Sequence, residues 1–102
     1  MRKLTVPDFR NWILKTDIAC FVFSSENNDR LRSIGLSIGE RYSSLVFGTS
    51  PDRLCFRSGD GRLQLEHVKE VHLYDDCESI GIVFDILCGD EGGYVSWRFI
   101  AD

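Results

Sequence analysis

Between Arg53 and Ala101 the chain alternates apolar and polar residues with a period of two, in short runs parted by Gly- and Asp-rich turns. That period places the apolar side chains on one face of an extended strand, and the turn residues set where each run stops. Residues 53–57, 62–65, 68–74, 80–88 and 94–101 are therefore expected as consecutive antiparallel strands. The connections are short enough for hairpins, which predicts meander connectivity. In the last hairpin Ile80, Ile82, Phe84, Ile86 and Cys88 share one face of the first strand, and Val95, Trp97, Phe99 and Ala101 share one face of the second. The final strand is expected inside the sheet and not at a free edge.

Upstream, the one clear helix signal lies at the N-terminus. Thr5 offers a capping hydroxyl three residues before Asp8, and Pro7 falls in the first turn, where its missing N–H costs nothing. A helix starting near Val6 and ending before Asp17 puts Phe9, Trp12 and Ile13 on one apolar stripe, with Arg10, Asn11 and Lys15 turned away. Residues 18–23, rich in β-branched and aromatic side chains, read as a buried strand. Residues 24–32 read as a polar loop, 34–38 as a strand with Gly and Ser on one face, and 42–47 as a strand with a short helix as the alternative. Pro51 sets the first corner of a turn over 49–52, and residues 58–61 close a hairpin. The expected fold is α+β and mostly β: one N-terminal helix packed on a strongly bent antiparallel sheet of six to eight strands, or on a partly open barrel.

The 102 residues, 43% hydrophobic, suffice for one core, so residues 1–102 are read as a single domain. The longest apolar run, residues 18–23, is far below the roughly 20 residues a membrane-spanning helix needs. Asp8, Arg10, Lys15 and Asp17 break up what would be the apolar stretch of a leader, so a cytoplasmic protein is expected. Cys20, Cys55 and Cys88 lie within apolar strands and Cys77 in an acidic turn, without any Cys-x-x-Cys spacing, which suits reduced thiols acting as packing residues. Charge is uneven: residues 1–62 carry ten Lys and Arg against seven Asp and Glu, and residues 63–102 carry two against nine. An acidic C-terminal half argues against nucleic acid, whose affinity rests on neutralised phosphates, and favours a basic partner.

Several residues invite a chemical reading. His67 and His72 are five apart and face opposite sides of a strand, so no metal is expected between them. Leu63, Leu65, Val68, Val71 and Leu73 break strict alternation, which points to a bulge or a single turn near residues 66–71. His72, Asp75, Asp76 and Cys77 supply a base, carboxylates and a thiol within six residues, but neighbours in sequence splay apart and catalytic groups meet from distant segments. The acids Asp75, Asp76 and Glu78 could hold a hard cation with Asp90 and Glu91 only if folding brought the two turns together. Asp85, between Phe84 and Ile86, is expected as an exposed acid on the wet face of the sheet; if that face is buried, Arg98 on the neighbouring strand is its natural partner.

Twelve aromatic residues exceed what a thin domain must bury, and Trp12, Tyr42, Tyr74, Tyr94 and Trp97 are types favoured at interfaces. The function expected is therefore a non-enzymatic module that binds a protein partner or a second copy of itself, with no cofactor. Asp75, Asp76, Glu78, Asp90 and Glu91 are the candidate partner-binding residues. The alternative is a small-ligand or minor enzymatic pocket between helix and sheet, for which His72, Cys77 and Asp85 are the candidates.

Overall fold

The structure, a computed structural model, describes residues 1–24, 39–59, 61–77, 81–90 and 92–101, with residues 75–77 and 90 described through their backbone alone. The expected strand at 34–38 and most of the loop at 24–32 lie outside the described residues. In chain order the elements are β1 (Arg2–Leu4), α1 (Val6–Lys15), β2 (Phe21–Phe23), β3 (Arg41–Tyr42), β4 (Ser44–Phe47), β5 (Leu54–Ser58), β6 (Gly61–Leu65), β7 (Val68–Cys77), β8 (Gly81–Asp90) and β9 (Gly93–Ala101). The described fold is thus α+β and mostly β, with every strand pair antiparallel.

The strands divide between two sheets, one in the order β1-β7-β8-β9-β2-β3 and one in the order β4-β5-β6; neither closes into a barrel. The expected meander holds within β4-β5-β6 and β7-β8-β9. It fails elsewhere, because β2 returns to the far side of β9 and β1 lies against β7. That placement gives β9 a neighbour on each side, as its apolar face requires.

Three local expectations need correction. The strand expected over 18–23 begins only at Phe21, since the chain leaving α1 is not yet paired at residues 18–20. The strand expected over 42–47 is two strands: Tyr42 pairs with Phe21 in the large sheet, and Ser44 pairs with Arg57 in the small one. Between them, the Ser43 N–H and hydroxyl both donate to the Arg57 carbonyl, at 2.8 and 3.3 Å, so the chain changes sheets without leaving this backbone group. Finally, β7 runs past Tyr74 to Cys77, so Asp75, Asp76 and Cys77 belong to a strand and not to a turn.

The helix forms where its caps allow. The Asp8 N–H donates to the Thr5 hydroxyl at 3.2 Å, and acidic Asp8 and basic Lys15 sit at the ends of α1 that their charges favour. At the other end the Thr16 hydroxyl donates to the Trp12 carbonyl at 2.8 Å as the backbone turns extended. The irregularity near residues 66–71 is also present. His67 adopts a left-handed φ of 58°, and a register shift follows between Val68 and Glu70.

The core lies between the large sheet on one side and α1 with the small sheet on the other. Across the large sheet's inner face, Phe23, Phe99, Phe84 and Leu73 form one cross-strand row, each at most 1% exposed. Phe56 of the small sheet stacks on Phe99 at 4.1 Å between ring centroids. Phe9 of α1 reaches Phe84 at 5.1 Å. Of the aromatic residues picked out for interfaces, Tyr42 and Trp97 are buried, Trp12 and Tyr74 are half-buried, and Tyr94 is exposed. Among the described residues, no helix is long and apolar enough to cross a membrane.

Candidate functional site

One step along the strands from the aromatic row, the outer face of the same sheet carries a polar row. Register places Lys3 opposite His72, His72 opposite Asp85, and Asp85 opposite Arg98. Asp85 is only 7% exposed, which overturns the expectation of a solvated acid. Its burial follows from position: β8 is a central strand, and Val83 beside Asp85 on this outer face is buried as well.

A buried carboxylate requires strong donors. Arg98 supplies them bidentately, with Nε donating to Oδ1 at 2.7 Å and Nη2 donating to Oδ2 at 2.9 Å. This bond, the largest cause, raises the Arg98 pKa above its ordinary value. The guanidinium also lies 5.6 Å from the centre of the Tyr74 ring. Arg98→Ala should therefore cost about 1–3 kcal/mol, less than for a fully buried pair because Arg98 is half exposed. Replacing both partners by valine should recover most of that loss, since no charge is then stranded. Urea midpoints of the single and double variants measure the difference, and equal losses would show that the packing of Arg98 dominates.

His72 and Asp85 are thus brought face to face, while the Cys77 side chain lies outside the described ones. The His72 Nε2 is shielded from solvent and lacks a well-directed hydrogen bond, although Glu70 Oε1 stands 3.2 Å away. That separation permits a charge interaction when the ring is protonated, without the alignment a hydrogen bond needs. The acidic candidates are spread apart. Asp75 and Asp76 lie at the end of β7 that pairs with the start of β8, and Asp90 closes the opposite end of β8. A ten-residue strand spans about 30 Å, so the backbone at Asp75 and Asp76 is not side by side with that at Asp90. Glu78 and Glu91 lie outside the described residues. Among the described residues there is no cluster of three His, Cys, Asp or Glu suited to a metal.

A second feature lies between the helix and the small sheet, with a lining other than the residues expected for a pocket there. An open groove of about 430 Å³ runs between α1 and the turn joining β4 to β5. From α1 it is lined by Val6, Pro7, Arg10, Asn11 and Leu14, and from the turn side by Phe47, residues 48–51 and Arg53. The turn is firmly built. Pro51 sets its corner, the Arg53 N–H donates to the Ser50 carbonyl at 3.3 Å, and the Gly48 N–H donates to the Arg53 carbonyl at 3.2 Å. The Val68 N–H ties it to the start of β7 through the Asp52 carbonyl at 3.0 Å. The Ser50 hydroxyl donates to Asp52 at 2.5 Å and is the main reason that this carboxyl is held below its usual range.

Two cations reach the groove. The Arg10 guanidinium lies 5.9 Å from the centre of the Phe47 ring, and Arg53 Nε lies 3.5 Å from Glu66 Oε1 in an exposed pair. Leu14 stands 73% exposed at the groove, a large apolar side chain with water on most of its surface. Among the described residues the lining offers apolar contact, the hydroxyls of Thr49 and Ser50, the Asn11 amide and the guanidinium groups of Arg10 and Arg53. Of the expected pocket residues, His72 and Asp85 are not part of its lining. The sequence did hold a faint signal, because Leu14 falls off the stripe of Phe9, Trp12 and Ile13.

No disulfide joins Cys20, Cys55 or Cys88, of which Cys88 is buried. Burial pushes the Cys88 thiol up to about 11. At pH 8 its thiolate fraction is then about one in a thousand, so alkylation in the native state should be slowest at Cys88 and should accelerate sharply on unfolding. Peptide mass mapping after timed iodoacetamide treatment would show this, and labelling of Cys88 at its denatured rate would contradict the packing described. Compared with protein-family models, curated proteins and solved structures, the chain matches none.

Proposed function

We propose that this domain is a non-catalytic module that binds a segment of a protein partner, and that the groove between α1 and the β4–β5 turn is its contact surface. The observation that carries the reading is the exposure of Leu14 beside Phe47, Pro7 and Pro51 in a concavity of about 430 Å³. A concave apolar surface edged by a few polar groups gains free energy when covered, and its volume lies in the range of recognition pockets. The walls are suited to a fixed shape: α1 is capped at both ends, and the turn is closed by backbone bonds and anchored to β7. Little ordering entropy is lost when such a surface is filled.

The test is site-specific photocrosslinking in cells. A benzoylphenylalanine at position 14 or 11 should give a discrete protein adduct, and the same group at Gln64, on the exposed face of β6, should not. Adducts of twice the chain's mass would identify the partner as a second copy. Adducts formed equally well from Gln64, or only from Tyr94, would move the contact surface away from the groove and refute this reading.

A further inference from the structure

We infer that the segment taken by the groove is acidic, with one large apolar side chain flanked by Asp or Glu; this rests on the groove being the binding surface. The lining brings two guanidinium groups to an apolar floor, Arg53 already facing the carboxylates of Glu66 and Asp52 outside the lining and Arg10 facing none among the described residues. Arg10 has no ion-pair partner among the described residues, and its contact there is with the face of Phe47. A guanidinium over a ring face spends no N–H on an acceptor there, and a carboxylate accepts two such N–H groups in parallel. Leu14 and Phe47 line the same groove of about 430 Å³, room enough for one apolar side chain of the partner whose acidic neighbours meet Arg10 and Arg53.

Charge elsewhere on the chain sharpens the choice. The whole chain carries −4, and residues 63–102 carry nine acids against two bases. An acidic segment is therefore repelled by the C-terminal part of the chain and drawn to the groove, whose residues all lie within the net-positive residues 1–62, whereas a basic segment is drawn toward the acidic half instead. Arg53 adds a testable detail. Its exposed pairing with Glu66 at 3.5 Å competes with any incoming carboxylate, so Glu66 acts as a weak internal competitor.

The experiment selects binders from a random peptide library displayed against the full chain, then measures one selected peptide by fluorescence anisotropy. The expected pool pairs Asp or Glu with Leu, Phe or Trp. Arg10→Glu should weaken binding by about tenfold or more, Leu14→Ser should weaken it comparably, and Glu66→Gln should strengthen it about threefold. Affinity should fall as NaCl rises from about 0.05 to about 0.3 M. All three positions are exposed or half-exposed, so unchanged urea midpoints verify that the variants fold. A basic or uncharged pool that still depends on Leu14 overturns the acidic chemistry and keeps the groove. Binding indifferent to both Arg10→Glu and Leu14→Ser overturns the groove as well. Failure to enrich any peptide overturns the acidic segment, with crosslinking at position 14 then deciding the groove by itself.

Discussion

Deleting residues 1–16 is expected to abolish cooperative folding. The deletion removes buried Val6 and Phe9 together with half-buried Leu4, Trp12 and Ile13, all packed into or against the one core cluster. Each fully buried side chain contributes about 1.5–3 kcal/mol, and the ring contacts of Phe9 with Phe84 and Phe47 add about 0.5–1.5 kcal/mol apiece. The loss also strips β1 from β7, leaving the strand that carries Val71 and Leu73 with an open edge. Domains of this size have about 5–15 kcal/mol in all, so a loss of this order consumes most of the stability. Circular dichroism and Trp97 fluorescence in urea would report it, since Trp97 is retained. A cooperative melt at nearly the original midpoint would show that α1 is an appendage, and the groove it walls would lose its rigid side.

The contrast between α1 and β1 shows what a sequence can display. The helix carries its own signals, Thr5, Pro7 and the stripe from Phe9 to Ile13, all local. Strand β1 carries none: Arg2, Lys3 and Leu4 are strand residues because β7 presents an unpaired ladder beside them. The same division runs through the sheets. Alternation along β8 and β9 reveals which side chains share a face, and the hairpin between Asp90 and Gly93 fixes Asp85 opposite Arg98 by counting. It does not reveal that β2 returns to flank β9, nor that Tyr42 and Ser44 belong to different sheets.

Asp85 marks the limit for the site. Its partner was legible because a hairpin register is local, while its burial was not, because it depends on strand order and on neighbours such as Val83. The groove is further from sight. Arg10 and Leu14 meet Phe47 and Arg53 only after two segments more than thirty residues apart pack together, and no periodicity records that meeting. The acidic turns illustrate the converse. Sequence left open whether they meet, and the ten-residue β8 parts the backbone of Asp75 and Asp76 from that of Asp90.

The largest effect of a single side chain is expected at Phe99, where truncation to alanine should cost about 3–5 kcal/mol. Phe99 is fully buried and joins both sheets: Phe23 at 5.5 Å and Phe84 at 5.6 Å are its neighbours in the large one, and Phe56 at 4.1 Å is its stacked partner in the small one. Alanine there opens a void bounded by rings that sit on different strands, and such rings cannot all relax inward without moving the sheets. Tyr94→Ala in the same strand should cost less than about 0.5 kcal/mol, because its ring is 68% exposed. Phe56→Ala should be nearly as damaging as Phe99→Ala, and the double variant should fall short of the sum, since the first truncation already destroys the stacked contact. Urea midpoints for the four variants would establish the cycle. Strict additivity would mean that the two rings do not share the space that holds the small sheet against the large one, and that the apposition of the sheets rests on other contacts, such as those of Phe56 with Phe21 and Tyr42.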